Sequence, residues 1–155
     1  VILGLLVLVG WYTHSIVLIQ IHESFVPMQY NTAVGFTLCG LGLIALSLKN
    51  KKIALLFGLL AILLGTLTLT QYIFGLDLGI DQLFMEHYVT VKTSHLGRMA
   101  PNTALNFLLC GSFLITSFYI TNYKNKKIFL IFISAIVFSL ATTAFCGYLL
   151  NLEAA

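Results

Sequence analysis

Four histidines are the side chains of this chain most able to do chemistry, because imidazole binds metal ions and titrates near neutral pH. His14 and His22 lie eight residues apart, and His87 and His95 have the same spacing. Along one continuous helix eight residues rise about 12 Å, so His14 and His22 cannot share a metal ion. A shared site needs histidines from different segments. His22 and His95 are such a pair, nine and seven residues before the same Asn-Thr-Ala sequence.

A histidine pair from two helices is the usual ligand set of haem b in a membrane bundle. Met28 and Met99 stand at equivalent positions beside the repeated Asn-Thr-Ala, which adds a His/Met haem or a soft copper site as alternatives. None of these sites has a diagnostic spacing. Interfacial histidines that bind nothing, and histidines that sense pH, are the other interpretations left open. His14 stands out among the four, because an ionisable residue at membrane depth is a functional candidate by default.

The other polar candidates lie in the long connection at 75–101. Arg98 stands just before a predicted helix, where it can pair with an acid or hold an anionic ligand through two hydrogen bonds. Apolar residues recur at helical spacing between Ile80 and His87, which predicts a short helix lying at the membrane interface. The connection is interpreted as a lid over the bundle or as a ligand-binding lid. Its charged candidates for ligand contact are Asp77, Asp81, Glu86 and Arg98.

The composition indicates which elements position these residues. The 155 residues are 59% hydrophobic and 8% charged, and their mean hydropathy is +1.00, which is too apolar for a soluble domain. A membrane span needs roughly 20 apolar residues, and it is helical because lipid satisfies no backbone hydrogen bonds. The sequence predicts an all-α integral membrane protein. Its five transmembrane helices are expected at about 1–21, 31–48, 53–74, 102–121 and 128–150.

Part of this sequence forms an internal repeat. Eight residues of PMQYNTAVGFTLCG recur 71 positions later in MAPNTALNFLLCG, and YIFGLD is matched by YLLNLE 76 positions later. Each copy therefore contains a whole helical hairpin, and the two hairpins run in the same direction. Such a tandem parallel repeat differs from the inverted repeats of many transporters. The predicted hairpins are residues 28–77 and 99–153.

The polar start of each repeat is interpreted as a helix cap. Asn or Thr at a helix start accepts hydrogen bonds from the first free amide groups, and Pro101 keeps the second helix from starting earlier. A helix N-terminus also presents free amides to an anion, so a ligand site at the two helix starts is the functional alternative. The expected capping residues are Asn31, Thr32, Asn102 and Thr103.

The basic residues predict the orientation in the membrane. Short basic loops stay in the cytoplasm, which places the loops at 49–52 and 124–127 inside. The N-terminus is then inside, whereas residues 75–101 and 151–155 lie on the outer side. With five spans the C-terminal end lies outside, where it cannot connect to a cytoplasmic module. We therefore expect this chain to be a fragment of a protein that continues through at least one more helix. The six lysines in these loops are Lys49, Lys51, Lys52, Lys124, Lys126 and Lys127.

Three runs carry a resemblance to a known family: FVPMQYNTAVGFTLCGLGL, YIFGLDLGIDQL and HLGRMAPNTALNFLLCG. In order and spacing they resemble the multi-pass membrane sensor region at the N-termini of bacterial signalling proteins, ahead of PAS domains and a histidine kinase or diguanylate cyclase. The resemblance covers roughly residues 20–153. It implies a sensory input module in the bacterial inner membrane, with cytoplasmic signalling domains in the same full-length chain.

We therefore expect residues 1–155 to form a single membrane sensor domain without enzymatic activity of its own. Its expected partners are the lipid bilayer and, through the full-length protein, a second copy in a homodimer; no nucleic acid is expected. A haem-binding electron-transfer bundle and a small transporter are the alternatives. The transporter is disfavoured because no Asp, Glu, Lys or Arg falls squarely inside a predicted span.

Overall fold

The computed structural model describes residues 1–20, 25–89, 95–119 and 123–149. Every regular element within these ranges is a helix, which confirms the predicted all-helical class for the part of the chain that is described. In chain order the helices are α1 (Ile2–Tyr12), α2 (Ile16–Ile19), α3 (Tyr30–Ser47), α4 (Lys51–Phe74), α5 (Pro101–Tyr119) and α6 (Tyr123–Leu149).

Three of these helices are long and apolar enough to cross a membrane. They comprise α3, α4 and residues Lys127–Gly147 of α6, with mean hydropathies of 1.4, 2.4 and 2.4. Most of their apolar side chains face outwards, where lipid can cover them,. The described chain is therefore a helical membrane protein. The prediction of five spans is not tested by this result.

The predicted first helix, 1–21, is broken, which corrects the expectation of one continuous span. Helix α1 ends at Tyr12, and His14 in the following turn has a left-handed backbone with φ 51°. Helix α2 then folds back onto the end of α1, where a Cβ on Gly10 would lie only 2.7 Å from that of Leu18. Glycine thus leaves the space for this close approach, and His14 occupies a turn rather than a helix.

The predicted interfacial helix between Ile80 and His87 is also absent: residues 75–89 form bends and irregular backbone. Gly75 ends α4 in the left-handed conformation, with φ 62°,. The Asp81 side chain then turns inwards to hydrogen-bond with α4. The backbone that directs Asp81 towards α4 is not helical, so the apolar residues do not line up on one helix face. Phe84, expected on that apolar face, is exposed.

Small residues let α4 and α5 pack closely. A Cβ on Gly65 would lie 2.5 Å from the carbonyl oxygen of Ala104, and one on Gly111 would lie 2.5 Å from that of Gly58. Between these contacts Ala61 is completely buried. The two backbones therefore touch directly, as small residues permit in membrane helix packing.

Helices α3 and α5 meet through residues that are equivalent in the predicted repeat. The rings of Phe36 and Phe107 pack edge to face, with centroids 5.4 Å apart. Cys39 and Cys110 follow one turn later, and both are free thiols,. Cys39 belongs to the same buried cluster as Phe107, against which Cys110 packs. The two cysteines therefore pack as small apolar residues between α3 and α5,.

Four helix termini gather at one end of the bundle, which we call the loop end. The C-terminal ends of α1 and α4 and the N-terminal ends of α3 and α5 all contact residues 76–89 or 95–100 there. The turn between α3 and α4, with Lys49, lies at the opposite end, as does the start of α4, with Lys51 and Lys52. Most candidate side chains from the sequence are thereby brought to the loop end.

Candidate functional site

Two clusters of polar and aromatic side chains form at the loop end. The arginine cluster comprises Gln71, Asp81 and Arg98 and lies at the C-terminal end of α4. The histidine cluster comprises Trp11, His14, His87 and Tyr88 and lies at the end of α1. Each cluster joins loop residues to a helix, so both determine how the loop sits on the bundle.

The arginine cluster is a closed set of hydrogen bonds. The Nε of Arg98 donates to Oδ2 of Asp81 at 2.7 Å, and the Nε2 of Gln71 donates to Oδ1 at 3.0 Å. The Nη2 of Arg98 also donates to Oε1 of Gln71 at 3.3 Å. All three residues are at least nine-tenths buried. Both carboxylate oxygens are therefore engaged by groups of the chain itself.

Further contacts of this cluster fasten the start of the loop. Arg98 donates to the carbonyl oxygen of Leu76 at 3.3 Å, and the Leu78 amide donates to Gln71 at 2.9 Å. The Arg98 guanidinium also lies over the ring of Tyr72, 5.4 Å from its centroid,. Arg98 thus pairs with an acid, one of its two expected roles, and its donors hold the loop. Gln71 was not among the sequence candidates, although an amide in the last turn of an apolar helix is a signal of a buried polar contact.

The other two acids of the loop remain at the surface. Asp77 accepts a hydrogen bond from the Gly79 amide at 2.9 Å and so forms a local turn,. Glu86 is exposed beside the histidine cluster. The four charged candidates therefore separate into a buried ion pair, Asp81 with Arg98, and two surface carboxylates.

The histidine cluster is built around the only tryptophan of the chain. The indole Nε1 of Trp11 donates to the Met28 carbonyl at 2.9 Å. Tyr88 packs edge-on against this indole, with ring centroids 4.9 Å apart, and its hydroxyl donates to the Gly10 carbonyl at 3.4 Å. These contacts dock the far part of the loop onto the end of α1.

Two histidines contact this aromatic pair. The His14 ring lies 4.5 Å from the Tyr88 ring, centroid to centroid, and the His87 ring lies 5.6 Å from Trp11. Both ring nitrogens of His87 are buried and make no hydrogen bond of normal geometry with the described residues. Burial lowers the pKa of His87 because it disfavours the charged ring, and the Val89 backbone offsets only part of this shift,.

An open cleft of about 460 Å³ lies beside the histidine cluster. It runs between His14, at the end of α1, and the loop segment that leads to Tyr88. The cleft offers an imidazole, a carboxylate, an amide and a phenol together with apolar surface, a mixture that suits a small ligand. Its lining residues are His14, Gln82, Leu83, Phe84, Met85, Glu86 and Tyr88.

The expected pairing of His22 with His95 is not tested, because His22 lies outside the described residues. His95 is exposed, and its ring packs edge-on against Tyr72, 5.7 Å between centroids. It therefore lies beside the arginine cluster, whereas His14 and His87 meet in the histidine cluster. No group of three or more His, Cys, Asp or Glu side chains suited to a metal ion occurs within the described ranges.

The two methionines proposed as alternative ligands lie in different clusters. Met28 packs beside Trp11 at the end of α1. Met99 is almost completely buried in the core formed by α4, α5 and Phe107. Equivalent positions in the sequence repeat are therefore occupied by methionines that do not share one site, because each packs against its own neighbouring helix.

The expected caps behave differently in the two repeats. Asn31 lies inside α3 and is buried, and its Nδ2 donates to the Ile80 carbonyl at 2.9 Å instead of capping the helix. This corrects the expected role, because a contact with the loop takes the amide away from the helix start. Thr32 is half-buried in the same turn. In α5, which begins at Pro101, Oδ1 of Asn102 accepts from the first-turn amide of Thr103 at 2.8 Å.

Comparison of the chain with protein-family models, with curated proteins and with solved structures finds no match. The resemblance to bacterial sensor regions therefore rests on the three sequence runs alone.

Proposed function

We propose that residues 1–155 form a membrane-embedded sensory input module of a bacterial signalling protein. A stimulus is perceived at the loop end and relayed to cytoplasmic kinase or cyclase domains in the same full-length chain, which acts as a homodimer. The module itself carries no catalytic activity. The observation that carries this proposal is the cleft between His14 and the loop, because its two sides belong to different structural elements.

The two sides of the cleft are held in different ways. The loop is fastened to α4 by the hydrogen bonds of Gln71 with the buried Asp81–Arg98 pair and to α3 by Asn31. The end of α1, by contrast, meets the loop through the ring contact of Trp11 with Tyr88 and one long hydrogen bond, 3.4 Å, from the Tyr88 hydroxyl to the Gly10 carbonyl. A ligand or proton in the cleft therefore acts on α1 relative to an anchored loop. The ligand or proton moves α1 relative to the loop if it binds more tightly when α1 is in one position than in another.

The proposed topology places the loop end on the outer side of the bacterial inner membrane. Support comes from the lysine turns at 49–52 and 124–127, which the positive-inside tendency assigns to the cytoplasm. In the proposed five-span topology α5 is the fourth span beside the three strongly apolar helices, and the 11-residue α1 forms part of the first. The tandem parallel repeat is supported by the starts of α3 and α5, at Tyr30 and Pro101, which are also 71 residues apart.

Haem b is a second candidate for the input chemistry. The observation in its favour is that His14 and His87 converge on Tyr88 and Trp11. An absorbance spectrum of freshly purified, haem-supplemented protein tests it. A Soret band that disappears in His87→Ala supports haem sensing or electron transfer, and the lack of any Soret band removes both. No described contact favours copper or transport.

The sensory proposal is tested on the full-length protein reconstituted in liposomes, with kinase or cyclase output as the readout. Tyr88→Ala removes the contact between the loop and α1, and we expect it to change basal output several-fold. His95→Ala is the matched control, because His95 lies in the same loop but outside the histidine cluster. Output at the wild-type level in Tyr88→Ala, or a full-length chain without a signalling domain, contradicts the proposal.

A further inference from the structure

We infer that Cys39 and Cys110 form a redox-active thiol pair, which a lipid-soluble quinone converts to a disulfide bond between α3 and α5. The pair lies within the helices, away from the loop end. The inference therefore goes beyond the sensory function and does not depend on it.

The two cysteines are equivalent in the internal repeat, 71 residues apart, and they lie at the same depth. Cys39 is the tenth residue of the 18-residue α3, and Cys110 is the tenth residue of the 19-residue α5. Because both helices start at the loop end, nine residues place each cysteine about 14 Å from it. The repeat thus brings two thiols to one level near the middle of the bundle.

The side chains of the two cysteines meet across the helix pair. The edge-to-face contact of Phe36 with Phe107, one turn nearer the loop end, holds α3 and α5 together. A hydrogen bond joins the thiols of Cys39 and Cys110, and both are free. Two free thiols in contact are the starting arrangement for an intramolecular disulfide. Side-chain rotation or a small approach of the helices has to bring the sulfur atoms to about 2.05 Å.

An apolar groove of about 350 Å³ between α3, α5 and α6 exposes this thiol pair on one side. Among the described residues that line the groove, Ser134 is the only polar one besides the two cysteines. Phe138, on the wall formed by α6, is 74% exposed. Ions do not enter apolar surroundings without a large desolvation cost. The groove therefore admits an uncharged molecule from the lipid and excludes a charged oxidant from the water.

A quinone dissolved in the bilayer is the class of oxidant that fits these surroundings. Two S–H bonds break and one S–S bond forms between Cys39 and Cys110. The two electrons and two protons released pass to the quinone oxygens, which gives a hydroquinone. Reactants and products are all uncharged, so the reaction leaves no charge in the groove. The groove only has to admit the quinone ring, because the reaction does not require a stable complex.

Cys146 is the third cysteine of the chain and supplies an internal control. It is exposed on α6 and does not line the groove. Cys146→Ser should therefore keep the reaction, whereas Cys39→Ser should abolish it and leave Cys110 as a free thiol. This pattern separates a pair from three cysteines that react one by one.

The test uses the full-length protein in nanodiscs that hold one chain each. The oxidant is duroquinone, whose four methylated ring positions prevent addition of a thiol to the ring. Free thiols are then blocked with N-ethylmaleimide in denaturing detergent, and the unreduced protein is digested for mass spectrometry. We expect at least tenfold more of the peptide pair linked through Cys39 and Cys110 with duroquinone than with durohydroquinone, which cannot oxidise. Dithiothreitol should restore both thiols.

Recovery of Cys39 and Cys110 as maleimide adducts after duroquinone overturns the inference, in wild type or in Cys146→Ser. Equal formation of the disulfide with ferricyanide, a charged oxidant that stays in water, also overturns it, because the groove then plays no part. Loss of the free Cys110 thiol in Cys39→Ser has the same consequence, since oxidation then needs no pair. The disulfide is read without any measurement of kinase or cyclase output, so its failure leaves the sensory proposal untouched.

Discussion

Arg98 and Asp81 form a buried ion pair, with 2.7 Å between Nε and Oδ2 and side chains only 6% and 10% exposed. A buried pair offsets its desolvation only when its remaining hydrogen-bonding groups are also satisfied. Gln71 and the Leu76 carbonyl meet that condition here. Through Gln71, the pair therefore holds the loop against the end of α4 at Asp81 and at Arg98.

Removal of one partner of this pair leaves an unpaired charge in a buried place. We expect Asp81→Asn to lower the free energy of unfolding by about 3 to 5 kcal/mol. Thermal unfolding of the purified protein in detergent measures the change. Asp77→Asn removes an exposed carboxylate from the same loop and is the control. Similar melting temperatures for the two variants would rule out a stabilising role of the buried pair.

Close packing of α4 on α5 makes Gly65 intolerant of a side chain. A Cβ there would lie 2.5 Å from the Ala104 carbonyl, which is backbone and cannot rotate away. Gly65→Ala should therefore destabilise the bundle by about 1 to 3 kcal/mol, although alanine favours a helix. Leu63→Ala, on an exposed face of α4, serves as the comparison in the same unfolding assay. A Gly65→Ala protein as stable as wild type would contradict the close contact.

His87 is half-buried with both ring nitrogens shielded from solvent, and this predicts a pH response of the loop. Its pKa lies below the ordinary value of 6.5 because burial disfavours the charged form. As the pH falls, His87 is therefore protonated at a higher pH in the unfolded or released loop than in the folded one. The contribution of neutral His87 to stability is complete above pH 6.5 and is lost as the pH falls through its lowered pKa.

Trp11 reports this transition, since its ring contacts His87. We expect its emission to change in a step below pH 6.5. The step should vanish in His87→Phe, which keeps a ring but cannot titrate, and should persist in His95→Gln. Persistence of the step in His87→Phe would assign it to another group, His14 being the neighbouring candidate.

Asn31 and Asn102 should affect the loop differently when mutated, although they are equivalent in the sequence repeat. Asn31 holds the Ile80 carbonyl of the loop, whereas Asn102 bonds within its own helix. Asn31→Ala should increase amide hydrogen exchange of residues 78–89 several-fold, because it frees the loop from α3. Asn102→Ala should leave exchange in this segment unchanged. Equal effects of the two variants would favour the capping role for both residues.

The sequence by itself determined the helical membrane class. Apolar runs of about 20 residues have to form helices in lipid, because each backbone group must find its partner within the segment. This requirement is local, so composition and run length reveal it. The polar residues of the loop were also recognisable as candidates, since charged groups are rare in so apolar a chain. Arg98 and Asp81 were named as candidates in this way, but not as partners.

Only the tertiary structure decided which of these residues meet. The break after Tyr12 depends on α2 folding back onto Gly10, and the inward turn of Asp81 depends on Gln71 in the preceding helix. The docking of Tyr88 on Trp11 joins residues 77 positions apart. No local periodicity encodes such contacts, because they arise from the packing of helices that close glycine contacts bring together.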